Sequence, residues 1–154
     1  MEKHCCHSPL SEESAKELLG HSGLNRTKVK VRILLELSKS SRPLSVQDLH
    51  EKMKQSCDVS TIFRTIAQFK EKDLIQEVNL DEGFFRYEMS HQENKNKKSP
   101  QHNHHHHHVR CRECGDIQQI EKCDLTAFEK AIAKLGFTEM EHRLEFTGLC
   151  SRCA

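Results

Sequence analysis

The chain has 154 residues, with 24 Lys and Arg against 23 Asp and Glu, and a formal net charge of +1. That length accommodates one ordinary domain or two small ones, and the charge gives no bulk basic signature of the kind that binds polyanions unselectively. No run approaches the ~20 apolar residues of a membrane span.

The opening "MEKHCCHSPL" lacks an apolar signal core, so a cytosolic protein is expected. Its eight cysteines would there stay reduced, which favours metal binding over disulfides. The segment Leu10 to Gly20 reads as a short helix, with Ser11 as N-cap and a terminal glycine. Asn25 to Ser40 reads as a second helix whose Val29, Ile33, Leu34 and Leu37 form one buried stripe. Its first turns carry Arg26, Lys28, Lys30 and Arg32 without an acid between them. A break at Pro43 precedes a third helix, with Ser45 as N-cap and Asp48 at N3, close to a capping box; Leu49 and Met53 are expected to face inward.

The turn "SCDVS" leads into a fourth helix, Ser60 to Asp73. Ile62, Phe63, Ile66 and Phe69 are assigned to its apolar face, with Ser60, Thr61, Arg64, Thr65 and Gln68 on the other side. The period then drops from 3.6 to 2. "LIQEVNL" and "FFRYEMS" alternate around "DEG", a hairpin turn signal. Helices followed by a two-stranded hairpin give the order of a winged helix-turn-helix, over residues 1–89. Residues 90–103 are polar and include Pro100, and they read as a linker. Over 104–154 the order is strand, strand, helix, strand, a small second domain, so the fold class is α+β.

The strongest chemical signal is Cys111-x-x-Cys114 with Cys150-x-x-Cys153. Two CxxC pairs supply four sulfurs at tetrahedral corners, ~2.3 Å from zinc, and leave no open coordination position. A closed site of this kind is structural. Arg110, Arg112 and Arg152 flank it and offset the negative charge of four thiolates. A redox CxxC would sit at a helix N-terminus after a strand, whereas Gly115 and a strand follow the first pair. Cys5, Cys6, Cys57 and Cys123 have no such frame.

Five histidines, His104 to His108, run directly into this site. On a strand, alternate rings point to opposite faces, so His106 and His108 face one way and His105 and His107 the other. Each pair needs further ligands. Glu88 is a candidate for the first face, with Asp73 or Glu77; His142 is a candidate for the second, with Asp124 or Glu121. The alternative is a solvated tract that binds metals loosely.

These features together resemble the ferric uptake regulator family of bacterial metalloregulators, from about Gly23 to Cys153. "DVSTIFRTIAQF" is similar to the family's recognition helix and "HHHHVRCRECG" to its metal strand. The resemblance implies a homodimer built through the C-terminal domain, a structural zinc on the four cysteines and a regulatory divalent metal (zinc, iron(II) or manganese) between the domains. It implies binding to AT-rich, near-palindromic operators and repression of metal-uptake or stress genes. Carried over by position, the regulatory site takes Glu88, His106 and His108, the secondary site His105, His107 and His142, and the recognition helix Ser60, Thr61 and Arg64.

The chain departs from the family at three places. Pro43 stands where iron- and peroxide-sensing members usually have a histidine, Gln119 where they often have a carboxylate, and Phe63 where a tyrosine is usual. Phe63 still suits a thymine methyl. A zinc sensor fits these departures better than an iron, manganese or peroxide sensor. Arg26, Lys28 and Lys30 are expected to contact phosphates and make affinity salt-dependent. Two other classes were weighed. A storage or delivery protein would hold many loose ions and ignore operators. A zinc hydrolase would need an open metal position and a general base, and no HExxH spacing occurs.

Overall fold

The computed structural model describes residues 9–54, 56–90, 107–120, 124–138, 140, 142 and 144–154. The chain divides into two compact units, Met1–Lys98 and Ser99–Ala154. The readings placed on residues 91–106, on Cys5 and Cys6, and on Glu121 and Cys123 lie outside the described residues.

The first unit begins with α1 (Glu12–His21), capped by Ser11, whose side chain accepts from the Ser14 N–H. The stop differs from expectation. Gly20 lies within the helix, and Gly23, at φ 70°, is the residue that turns the chain, with its N–H donating to the Gly20 carbonyl. Left-handed backbone of this kind suits glycine. α2 (Lys28–Lys39) starts three residues later than expected because the Thr27 side chain caps it, accepting from the Lys30 N–H. Its buried positions are Val31, Ile33, Leu34 and Leu37, while Val29 is half-buried.

A two-residue strand, β1 (Leu44–Ser45), precedes α3 (Val46–Lys52). The capping box is formed: Ser45 accepts from the Asp48 N–H and Asp48 accepts from the Ser45 N–H. α4 (Val59–Glu71) buries Ile62, Thr65, Ile66 and Phe69. The assignment of Phe63 to the apolar face and Thr65 to the polar one is therefore corrected. Successive residues rotate by about 100° around a helix, so Thr65 falls inside the arc of Ile62, Ile66 and Phe69 and Phe63 falls outside it. The Thr65 hydroxyl meets its own requirement by donating to the Thr61 carbonyl at 2.9 Å.

β2 (Ile75–Asn79) and β3 (Phe85–Met89) form the wing as an antiparallel hairpin, with Gln76 opposite Glu88 and Glu77 opposite Tyr87. β1 adds to the far edge of β3, giving the order β1-β3-β2. The core of this unit is continuous: Leu19, Ile33, Leu34, Leu44, Leu49, Ile62 and Phe69 are each fully buried.

The second unit holds β4 (His107–Cys111), β5 (Ile117–Ile120), α5 (Thr126–Ala133) and β6 (Glu145–Gly148). The sheet order is β5-β4-β6, with β4 antiparallel to β5 and parallel to β6. None of the residues of α5 is buried. Phe128 is 67% exposed, and beyond the helix Leu135 and Phe137 are 75% and 62% exposed. Among the described residues, no helix is long and apolar enough to cross a membrane.

Candidate metal centre and nucleic-acid interface

The four cysteines come together because β4 and β6 run in parallel. Cys111 ends β4 opposite Gly148 of β6, and the Arg112 N–H donates to the Gly148 carbonyl at 2.9 Å. Each strand then enters a tight turn that returns the second cysteine of its pair. Gly115, at φ 70°, donates its N–H to the Cys111 carbonyl, and the Cys153 N–H donates to the Cys150 carbonyl.

The four sulfurs lie within 4.8 Å of one another, and Cys114 Sγ is 3.7 Å from Cys150 Sγ. A tetrahedron with ~2.3 Å zinc–sulfur bonds has an edge of about 3.8 Å. Four soft donors at this spacing fit a structural zinc ion and leave no vacant coordination position.

The electrostatics are graded. Backbone N–H groups of Cys114 and then Cys150 point at Cys111 and outweigh its burial, lowering its thiol to about 6. The Cys150 N–H is 3.4 Å from that sulfur. Cys153 is pushed up to about 12, first by its hydrogen bond to Cys150 and then by that to Cys114. Arg152 approaches Cys150 and lies 3.4 Å from Asp116, close to where its charge was expected. One thiolate is therefore preformed, and the others form at the expense of released protons when a cation binds.

Two histidines of the run are described, and both are buried: His107 at 5% exposure and His108 at 3%. They are consecutive on β4 and so occupy opposite faces. His107 Nδ1 lies 3.1 Å from the Leu144 carbonyl. A carbonyl only accepts, so Nδ1 carries the proton and Nε2 keeps the lone pair that a metal would use. The His142 ring is 5.4 Å from that of His107. Two of the three residues assigned to the secondary site are thus neighbours, while His105 lies outside the described residues. Asp124 accepts from the Thr126 N–H at 3.3 Å.

For the regulatory set, His108 stands in register between Gln119 of β5 and Glu145 of β6, and His106 lies outside the described residues. Glu88 is half-buried on the wing and belongs to the first unit. Glu77 stands on the opposite face of the hairpin from Glu88 and pairs with Lys70. It cannot converge with Glu88 on one ion. Asp73 is exposed, and its φ of 53° ends α4.

The outward face of α4 carries the expected polar residues. Arg64 donates from Nε to the Ser60 carbonyl and from Nη2 to Ser60 Oγ, both at 3.3 Å. Phe63 stands beside them, 55% exposed. Thr61 is half-buried. Lys28 and Lys30 begin α2, whose first turn has no acid. Cations at a helix N-terminus cost about 0.3–1 kcal/mol each through the helix dipole, so helix stability does not account for them. Arg26 precedes the helix and lies against Gly20; an added Cβ there would stand 2.2 Å from its guanidinium.

Sequence reasoning missed Arg86. Its side chain is buried and holds the wing to α3: Nη1 donates to Asp48 at 2.7 Å, and Nε and Nη2 donate to the two oxygens of Glu82 at 2.5 and 3.2 Å. The Phe84 ring lies 5.3 Å from its guanidinium carbon. Alternation marked position 86 as outward-facing, and nothing in the period distinguishes an exposed arginine from one folded over a capping box.

Comparison with known proteins gives one consistent answer. The model of the ferric uptake regulator family matches residues 21–147. A ferric uptake regulation protein of Bacillus subtilis is 31% identical over 127 residues, covering 80% of this chain and 78% of the relative. A zinc uptake regulation protein of Mycobacterium tuberculosis is 27% identical, covering 83% and 92%. Among solved structures, the ferric uptake regulator from Francisella tularensis with iron has a TM-score of 0.69 at 26% identity, covering 85% of this chain and 95% of that one. The winged helix, the buried histidine strand and the four-cysteine cluster all lie within or at the edge of the matched span, and the chain belongs to the ferric uptake regulator family.

Proposed function

We propose that this metal-responsive regulator is a zinc-sensing transcriptional repressor of metal-uptake or stress genes. It would act as a homodimer on an AT-rich inverted repeat and would hold a structural zinc on Cys111, Cys114, Cys150 and Cys153. The observation that carries the regulator reading is α4, which turns Ser60, Phe63 and Arg64 outward from a winged-helix scaffold. Arg64 and Ser60 would read base edges or phosphates, Phe63 would meet a thymine methyl, and Arg26, Lys28 and Lys30 would contact phosphates. Support for zinc comes from Gln119, which places a neutral amide opposite buried His108 where a carboxylate would better suit a harder ion. The exposed apolar residues on and after α5 supply a surface for a second copy.

In this reading Glu88, His106 and His108 hold the regulatory ion, and His105, His107 and His142 a secondary one. Metal binds the operator-competent conformation more tightly than the other, and occupancy shifts the population accordingly. An inverted repeat would mirror the two-fold symmetry of the dimer. A second reading, an iron sensor, is favoured by the higher identity to the ferric uptake relative.

Fluorescence anisotropy with an AT-rich inverted repeat, titrated with zinc, manganese and iron(II) in turn, tests the proposal. Zinc should raise operator affinity at lower free concentration than the other two. A stronger response to iron(II) or manganese selects the second reading or a manganese sensor. No response to any of them sinks the sensor altogether.

A further inference from the structure

Three glutamates of the wing are held in different ways. Glu77 is paired with the ammonium of Lys70 and Glu82 with the guanidinium of Arg86. Glu88 instead receives a hydrogen bond from a neutral amide: Gln76 Nε2 donates to Glu88 Oε1 at 2.6 Å. Gln76 and Glu88 are directly opposite in the β2–β3 ladder, so the bond runs straight across the hairpin. Both side chains are half-buried.

The chemistry of this pair differs from that of its neighbours. A cation beside a carboxylate cancels its charge and competes with any metal ion that approaches. An amide fixes the rotamer and leaves the full negative charge in place. A carboxylate has about four lone-pair directions, so one amide donor still leaves it able to bind a cation. Ligating carboxylates are commonly held by such neighbours, and losing one typically lowers metal affinity by about 10–100-fold.

We infer that Gln76 is a positioning residue for Glu88, aiming its carboxylate for a divalent cation without neutralising it. The inference rests on the proposed role of Glu88 as a regulatory ligand. It assigns Gln76 no contact with the ion.

The test uses the full-length dimer loaded with its structural zinc. Affinity for a second zinc is read without DNA, by competition with a chromophoric chelator, and the zinc midpoint for operator binding is read separately. Gln76→Leu should weaken the second zinc about 10–100-fold and raise the operator midpoint in proportion. It should leave zinc content after chelator wash, thermal midpoint and operator affinity at saturating zinc unchanged. Glu88→Ala should weaken the second zinc at least as much, and adding Gln76→Leu to it should change nothing further.

An unchanged second-zinc affinity in Gln76→Leu, with Glu88→Ala impaired, overturns the positioning role alone. The same holds if the Gln76→Leu loss persists in full in the Glu88→Ala background. If Glu88→Ala binds the second zinc like wild type, the ligand reading fails and the inference fails with it.

Discussion

The two units of this chain reach a fold by different physics. The first closes a hydrophobic core in which Leu34, Leu49, Ile62 and Phe69 are fully buried, and its one buried arginine is surrounded by two carboxylates. The second buries little apolar surface among its described residues. Its hidden groups are two histidines, Cys111 and Ile117, and its helix shows its apolar side chains to solvent. Small domains that cannot build an adequate core use metals or oligomerisation instead. A sequence can therefore look uniformly modest in hydrophobicity while one half depends on burial and the other on sulfur and a partner.

The largest expected effect breaks the second unit alone. Structural zinc sites in small domains contribute on the order of 10 kcal/mol of folding free energy. Cys111→Ser should thus lose the chelator-resistant zinc and the dimer, while the helical unit around Phe69 keeps a cooperative thermal transition. A Cys111→Ser protein that retained one tightly held zinc per chain and eluted as a dimer would contradict the structural assignment.

Next comes the converse experiment. Phe69→Ala empties a fully buried site and should destabilise the first unit by about 3–5 kcal/mol, read from its denaturation midpoint. Zinc content should not change. Equal destabilisation of both units would show that they are not energetically separate.

A smaller change is expected at the uncovered helix. Phe128→Glu places a charge where a second copy is proposed to dock. It should weaken self-association by roughly 10–100-fold, the loss of one buried large side chain at about 1.5–3 kcal/mol. Sedimentation of diluted protein measures this, and an unaltered dimer would move the interface elsewhere on the unit.

The smallest effect separates the wing clamp from the core. Burial pushes Asp48 up, but the Ser45 N–H and hydroxyl and the Arg86 guanidinium outweigh it, so its carboxyl lies below the usual range. A lowered folded value contributes stability that is complete above the unfolded value of about 3.9 and is lost as pH falls through the folded one. Asp48→Asn should cost about 1 kcal/mol near neutrality and flatten the acid limb of the first unit's stability. An acid limb as steep as wild type would assign that slope to other carboxylates.

The sequence carried much of this, and unevenly. Periodicity located all five helices and the wing because each buries one face against a core. It failed at Phe63 and Thr65, where polarity suggested one side and helical geometry demanded the other. It passed over β1, whose two residues are too few to show alternation. The four-cysteine centre was legible because spacing fixes chemistry. The partners of Glu88 and Arg86 were not, since a cross-strand amide and a folded-back guanidinium depend on register and rotamer, which no local pattern records.

The parallel pairing of β4 with β6 has a consequence for synthesis. Cys111 and Cys150 are 39 residues apart, and chains elongate at about 5–20 residues per second. For roughly 2–8 s each nascent chain presents Cys111 and Cys114 without the partners that complete their coordination. During that interval the half-site is open to oxidants and to thiophilic ions other than zinc. How faithfully the finished protein is metallated is therefore decided partly at the ribosome, by the pace of translation through α5 and β6.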